Sequence, residues 1–210
     1  MDQKINVLLV EDDPMAARHL TSIVNGSERY RLEGAIESAS VAEAYCLAGR
    51  VELILMDVCT AMNASGVDAA IKIKKAMPHI KTVIVTSQLD ADLVQRAREG
   101  QVDSFLYKLL PDEEILTAMD RTMAGERVYP DRRPKVQLGA VLNIDIDEQH
   151  MNVLRELCGA KTDEEIAAAV HLSVHTVRKY ISELLDMTGF RNRTELAVKA
   201  QKLGIVTYGY

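Results

Sequence analysis

The chain has 210 residues, 48% of them hydrophobic, and a formal net charge of −6; that length and apolar content are ample for a core and suggest two domains. The run of roughly 20 apolar residues that a membrane span needs is absent, and in MDQKINVLLVEDD acids follow directly on the apolar stretch, unlike a signal peptide, so a cytoplasmic protein with no membrane partner is expected. Cys46, Cys59 and Cys158 are odd in number and form no CxxC pair, which argues against a disulfide framework or a thiolate metal site.

From the start to about Gly125, short β-rich runs alternate with stretches of helical period. In order they are KINVLLV, PMAARHLTSIV, YRLEGAI, SVAEAYCLA, VELILM, SGVDAAIKIKKAM, KTVIVT, DADLVQRAR, VDSFLY and PDEEILTAMDRTM. Five β/α pairs predict a doubly wound α/β domain over residues 1–124, with a five-stranded parallel sheet between two helical layers. VLLV, LILM and VIV are apolar on both sides, as buried parallel strands are. Residues 125–145, beginning GERVYPDRRPKVQLG, mix prolines, glycines and charges and read as a linker. From 146 to 210 the pattern is helical, with no strand-like run before the VTYGY tail.

Charge divides unevenly along the chain. Residues 1–124 carry 13 basic and 19 acidic side chains, and residues 141–210 carry 8 and 10, so the helical module as a whole is not basic. Within residues 171–202, however, 6 basic residues face 3 acidic ones.

In a parallel sheet ligands bind outside the carboxyl ends of the strands, so residues just after a strand come first. Those ends deliver Glu11, Asp12 and Asp13 from the first strand, Asp57 from the third, Thr86 from the fourth and Lys108 from the fifth. Carboxylates crowded on one rim repel and raise one another's pKa unless a cation neutralises them, and hard oxygen ligands suit Mg²⁺. A metal-bound carboxylate beside a lysine and a hydroxyl is prepared to take a phosphoryl group. Asp13, just before Pro14, reads as a helix cap.

VLLVEDDP, LILMDVC, VIVTSQ and FLYK, in this order and spacing, resemble the receiver domain of two-component response regulators over residues 4 to about 124. The resemblance implies a flavodoxin-like fold and makes Asp57 the acceptor of a phosphoryl group from a sensor histidine kinase. It implies that Glu11, Asp12, Asp57 and the backbone carbonyl of Cys59 hold Mg²⁺ and that Thr86 and Lys108 contact the phosphoryl group. Phe105 would be the aromatic that reorients with Thr86. One departure is the loop DVCTAMNASG, which lacks the family's proline and places Gly66 nine residues after Asp57 instead of eight, so a loop one residue longer is expected. Cys59 and Gln88 are the positions through which the resemblance ties phosphoryl lifetime to sequence.

In the second half, TDEEIAAAVHLSVHTVRKYISELLDMTGFRNRTELAVKA gives two helices around a tight polar turn, a helix-turn-helix pattern. Ser173 suits an N-cap; Val177, Ile181 and Leu184 make an apolar stripe at i, i+4 and i+7, and His175, Arg178, Lys179 and Ser182 lie opposite. Such a helix can enter a major groove of double-stranded DNA. The same stretch is similar to the DNA-binding domain of LuxR-type regulators through Glu165, Ile166, Ala167, Ser173, Thr176, Val177, Asn192, Arg193 and Thr194. His150, Ala160 and Ser182 depart from that pattern, where glutamate, glycine and, in some members, lysine stand. A receiver followed by this domain resembles the NarL/FixJ-like response regulators. The resemblance implies a DNA-contact set of His175, Thr176, Arg178, Lys179, Ser182 and Arg193, and a homodimer on phosphorylation.

The reading is therefore a phosphorylation-controlled DNA-binding transcription regulator, with no enzymatic activity beyond its own phosphorylation and dephosphorylation. Leu196 and Ala200, on the last helix, have the spacing to pair across a dimer or to fill the module's interior. Two alternatives stand beside this reading. One is a phospho-aspartyl enzyme acting on a small metabolite, which would need a substrate pocket or cap insertion. The other is a phosphorylation-independent DNA-binding protein whose receiver serves only as a dimerisation platform.

Overall fold

The structure, a computed structural model, describes residues 4–132 and 134–207. It divides into two compact units, the first comprising residues 4–87 and 91–131 and the second built mainly from residues 132–207. Among the described residues no helix is long and apolar enough to cross a membrane.

In the first unit β1 (Ile5–Val10), β2 (Tyr30–Ile36), β3 (Leu53–Met56), β6 (Lys81–Thr86) and β7 (Ser104–Tyr107) form a parallel sheet in the order β2-β1-β3-β6-β7. The helices α1 (Pro14–Gly26), α2 (Ala42–Ala48), α3 (Gly66–Ala76), α4 (Ala91–Glu99) and α5 (Asp112–Met123) connect and follow the strands. Successive strand residues point to opposite faces. Val7, Leu9, Leu53, Leu55, Val83 and Val85 form one core with Leu20, Ile23 and Val24 of α1 and Ile115 and Met119 of α5. Their neighbours Leu8, Val10, Ile54, Met56 and Ile84 are also buried. Both faces of the sheet are thus covered, which is why the strands VLLV, LILM and VIV show no polar alternation, whereas the edge strand β2, with Arg31 and Glu33, does. Burial of each such side chain contributes about 1.5–3 kcal/mol. Asp13 caps α1 as its position predicts, accepting from the amides of Met15 and Ala16, with Pro14 at the first helical position.

Between β3 and α3 lies a feature absent from the expected alternation. Two short antiparallel strands, β4 (Cys59–Thr60) and β5 (Ala64–Ser65), flank a tight turn in which Met62 and Asn63 take left-handed φ values of 63° and 53°. The Thr60 hydroxyl donates to the Ala64 carbonyl at 2.7 Å and accepts from the Ala39 amide at 2.9 Å, which fixes this ribbon against the loop after β2.

The second unit holds a short ribbon, β8 (Gln137–Leu138) with β9 (Val141–Leu142), then α6 (Glu148–Cys158), α7 (Asp163–Ala169), α8 (Val174–Thr188) and α9 (Arg193–Lys202). Its core gathers Leu138, Val153, Leu154, Ile166, Val177, Leu184, Leu196 and Ala200. Both ends of the stretch 125–145, expected as a linker, carry ordered contacts. The Phe105 amide donates to the Val128 carbonyl at 2.8 Å and the Tyr129 hydroxyl to the Val102 carbonyl at 2.7 Å, so residues 126–129 cover the outer edge of β7. Leu138, at the other end of the stretch, is fully buried in the helical core. Leu196 and Ala200 are also fully buried, which removes them as dimer contacts; periodicity alone could not choose between the two sides. In the VTYGY tail Val206 and Thr207 form no strand, and residues 208–210 lie outside the described residues.

Candidate functional site

The parallel register brings the ends of β1, β3, β6 and β7 to one rim. There Glu11 and Asp57 are buried, at 3% and 8% exposure, and Asp12 beside them is exposed. The Lys108 ammonium lies 2.6 Å from Glu11 Oε2 and 3.4 Å from Asp57 Oδ2. Thr86 is fully buried at the end of β6, and its carbonyl accepts from the Lys108 amide at 2.8 Å, which ties the hydroxyl-bearing strand end to the lysine-bearing one. Phe105 is fully buried, edge-on to Tyr107 with ring centroids 5.8 Å apart.

Burial pushes the Asp57 carboxyl above its ordinary range; Lys108, the Thr86 hydroxyl and the Val58 amide pull the other way without cancelling it. Glu11 is likewise raised, mainly by burial and further by Asp57, against the pull of Lys108. One ammonium cannot satisfy two buried carboxylates. Asp57 Oδ1 is fully buried and, among the described residues, has no partner of hydrogen-bond geometry, and Glu11 Oε2, equally buried, has only the Lys108 ammonium that it shares with Asp57. Glu11, Asp12 and Asp57 can each bring one oxygen within 4.8 Å of the others. An unpartnered Asp57 oxygen and a Glu11 carboxylate that must share its one lysine, converging from two strand ends with an exposed third acid on the open side, form a donor set that fits a hard divalent cation such as Mg²⁺.

The long loop shapes this rim. Cys59 is half-buried at the start of the ribbon, paired in register with Ser65, and the Val58 carbonyl accepts from the Gly66 amide at 2.8 Å. A Cβ on Gly66 would stand 1.7 Å from the Asp57 carbonyl oxygen, so glycine is required where α3 begins. The sequence signalled an unusual spacing here but not this contact. Nothing local in the sequence marks Thr60, whose hydroxyl holds the ribbon.

In the second unit α7 and α8 form the expected helix-turn-helix pair, joined by a turn in which His171 has a φ of 55°. Ser173 caps α8 by accepting from the Thr176 amide, and Thr162 and Glu165 make a reciprocal cap at the start of α7. Val177, Ile181 and Leu184 are buried, and His175, Arg178, Lys179 and Ser182 are exposed on the opposite side of α8. Thr176 is half-buried, its hydroxyl 2.7 Å from that of Ser173. Arg193 does not join the exposed face directly; it sits at the start of α9, half-buried. The two arginines meet instead at Asp163, a residue outside the predicted set, at 2.8 Å from Arg178 and 2.5 Å from Arg193. The departures are also accommodated. Ala160 takes a left-handed φ of 55°, where glycine would be unstrained, and the His150 ring spans the carboxylates of Asp147 and Glu183 at 2.8 and 3.2 Å.

A doubly wound α/β unit with a buried acid pair and a lysine at its carboxyl rim, followed by a helix-turn-helix unit, defines the class of molecule. Comparison with known proteins narrows it. The model of the response regulator receiver domain matches residues 7–120. The response regulator protein VraR of Staphylococcus epidermidis is 30% identical over 203 residues, covering 93% of this chain and 96% of that protein. VraR of Staphylococcus aureus gives the same identity and coverage. Among solved structures, the two-component response regulator RcsB in its DNA complex matches with a TM-score of 0.61 at 14% identity, covering 95% of this chain and 98% of that one. The response regulator ChrA of a heme-sensing two-component system matches at 0.52 and 18%, covering 96% and 98%. At these identities the solved structures show the fold. The chain belongs to the response regulator family.

Proposed function

We propose that Asp57 accepts a phosphoryl group from the phosphohistidine of a sensor kinase and that this controls DNA binding by α8. In the transfer the P–N bond of the donor breaks and a P–O bond to an Asp57 carboxylate oxygen forms. The lysine at 3.4 Å receives the added negative charge, and the Thr86 hydroxyl, which already acts on the Asp57 carboxyl, would donate to a phosphoryl oxygen. Glu11, Asp12, Asp57 and the Cys59 carbonyl would hold Mg²⁺, which supplies charge neutralisation between acceptor and phosphoryl oxygens. The observation that carries this reading is the convergence of two buried, incompletely satisfied carboxylates on a single lysine. A structural ion pair would be expected to balance its charges.

Phe105, fully buried on the strand beside Thr86, is proposed to shift with that residue when the phosphoryl group is bound. The response is proposed to favour a homodimer, since helix-turn-helix proteins read paired half-sites. His175, Arg178, Lys179 and Ser182 would face the major groove of double-stranded DNA, with Thr176 and Arg193 at its margin. RcsB, of the same fold, has been solved bound to DNA. The experiment is light scattering and DNA mobility shift with and without a small-molecule phosphodonor and Mg²⁺. Phosphodonor-dependent dimerisation and tighter DNA binding, both lost in Asp57→Asn, are expected. Equal dimerisation and DNA binding with and without phosphodonor would favour the receiver as a fixed dimerisation platform.

A further inference from the structure

Arg178 and Arg193, two of the six proposed DNA-contact residues, share one carboxylate. Arg178 Nε donates to Asp163 Oδ2 at 2.8 Å and Arg193 Nη1 to Asp163 Oδ1 at 2.5 Å. Arg193 Nη2 also donates to the Lys161 carbonyl at 3.0 Å, and Arg178 Nη2 lies 3.7 Å from Glu164 Oε1. With Glu164 included, the two arginines and two acids carry no net charge. We propose that Asp163 sets the DNA affinity of the helix-turn-helix unit by occupying both guanidinium groups, so that DNA phosphates must displace it before either arginine can bind them. The proposal rests on the DNA-binding reading above and adds to it a residue that restrains binding.

Three observations support a restraining role over a structural one. The start of α7 does not need Asp163, because Thr162 and Glu165 already cap it reciprocally. Asp163 is the less exposed of the two acids, with a side chain 16% accessible against 67% for Glu164, so it is the one that holds the arginines more closely. The arginines also come from different elements, α8 and α9, so a single carboxylate occupies two of the six proposed DNA-contact side chains at once. Phosphate binding by a cation already paired with a carboxylate gains little from counterion release, and the carboxylate left behind repels the DNA backbone.

The test uses the full chain with a random-sequence DNA duplex and compares wild type, Asp163→Asn, Glu164→Gln, Arg178→Ala and the Asp163→Asn/Arg178→Ala pair across a salt titration. Asp163→Asn should bind roughly five- to tenfold tighter at about 0.1 M salt and steepen the logarithmic salt slope by about one. Glu164→Gln should change binding less, and the gain from Asp163→Asn should shrink when Arg178 is absent. Circular dichroism melting checks the fold, with Asp163→Ala as a second variant. Unchanged or weaker binding by both Asp163 variants, while Arg178→Ala also weakens it, would mean that Asp163 aims the arginines at DNA, and the restraint would be refuted with the DNA reading intact. Failure of every variant to bind would remove the DNA reading and the restraint together.

Discussion

The Lys108 ammonium stands closer to Glu11 than to Asp57, at 2.6 Å against 3.4 Å. Two buried acids therefore share one cation that favours the residue which is not the proposed acceptor. Asp57 is left with an oxygen that is buried and lacks a partner among the described residues. The rim holds more negative charge than its fixed cation balances.

That imbalance has a stability cost of predictable sign. Glu11→Gln should stabilise the receiver by on the order of 1 kcal/mol at neutral pH, because it removes one desolvated charge and leaves Lys108 to Asp57. Lys108→Ala should destabilise it by about 3 kcal/mol, since both acids lose their cation. Urea unfolding of the two variants measures both; a Glu11→Gln protein less stable than wild type would contradict the imbalance.

The pH dependence follows from the same groups. Glu11 and Asp57 are raised from ordinary values of 4.5 and 3.8, first by burial. Between those values and the raised ones the folded chain binds more protons than the unfolded chain. These two acids therefore make stability fall as pH rises through their raised pKa values, and the loss is recovered as pH falls back toward their ordinary values. Unfolding free energy measured against pH should show this slope in wild type and a shallower one in Asp57→Asn.

Mg²⁺ is expected to raise the melting temperature of wild type, since a ligand at about 100 times its Kd stabilises by about 2.7 kcal/mol. Asp12 is exposed, so Asp12→Ala should leave the fold intact and remove most of that Mg²⁺ response. A full response in Asp12→Ala, read by differential scanning fluorimetry, would exclude Asp12 from the ligand set.

Gly66→Ala tests the loop. The added carbon would meet the Asp57 carbonyl oxygen at 1.7 Å, a backbone atom with no freedom to swing aside. Relieving the clash must shift the start of α3 or the peptide after Asp57, at a cost of about 3 kcal/mol. Loss of both stability and phosphodonor labelling is expected; labelling at the wild-type rate would show that the contact does not position Asp57.

Much of this was legible in the sequence where one residue type has one reason to occur. Asp13 before Pro14 and Ser173 before an apolar stripe both form the caps they predict, and Asp57, Thr86 and Lys108 come together because strand ends of a parallel sheet must. What escaped depends on partners remote in sequence or on stretches too short for periodicity. The two-residue strands Cys59–Thr60 and Ala64–Ser65 carry no pattern, and nothing local marks Val128 as a partner for the edge of β7. The stretch TDEEIAAAV shows only its helical pattern. That Asp163 binds arginines 15 and 30 residues away depends on how α7, α8 and α9 pack together.

The most direct measurement is the intact mass of the protein after incubation with a small phosphodonor and Mg²⁺. Wild type should gain the mass of one phosphoryl group, labile to hydroxylamine as an acyl phosphate is, and Asp57→Asn should gain none. An unmodified wild type, or equal modification of Asp57→Asn, would contradict the assignment of Asp57 as the acceptor.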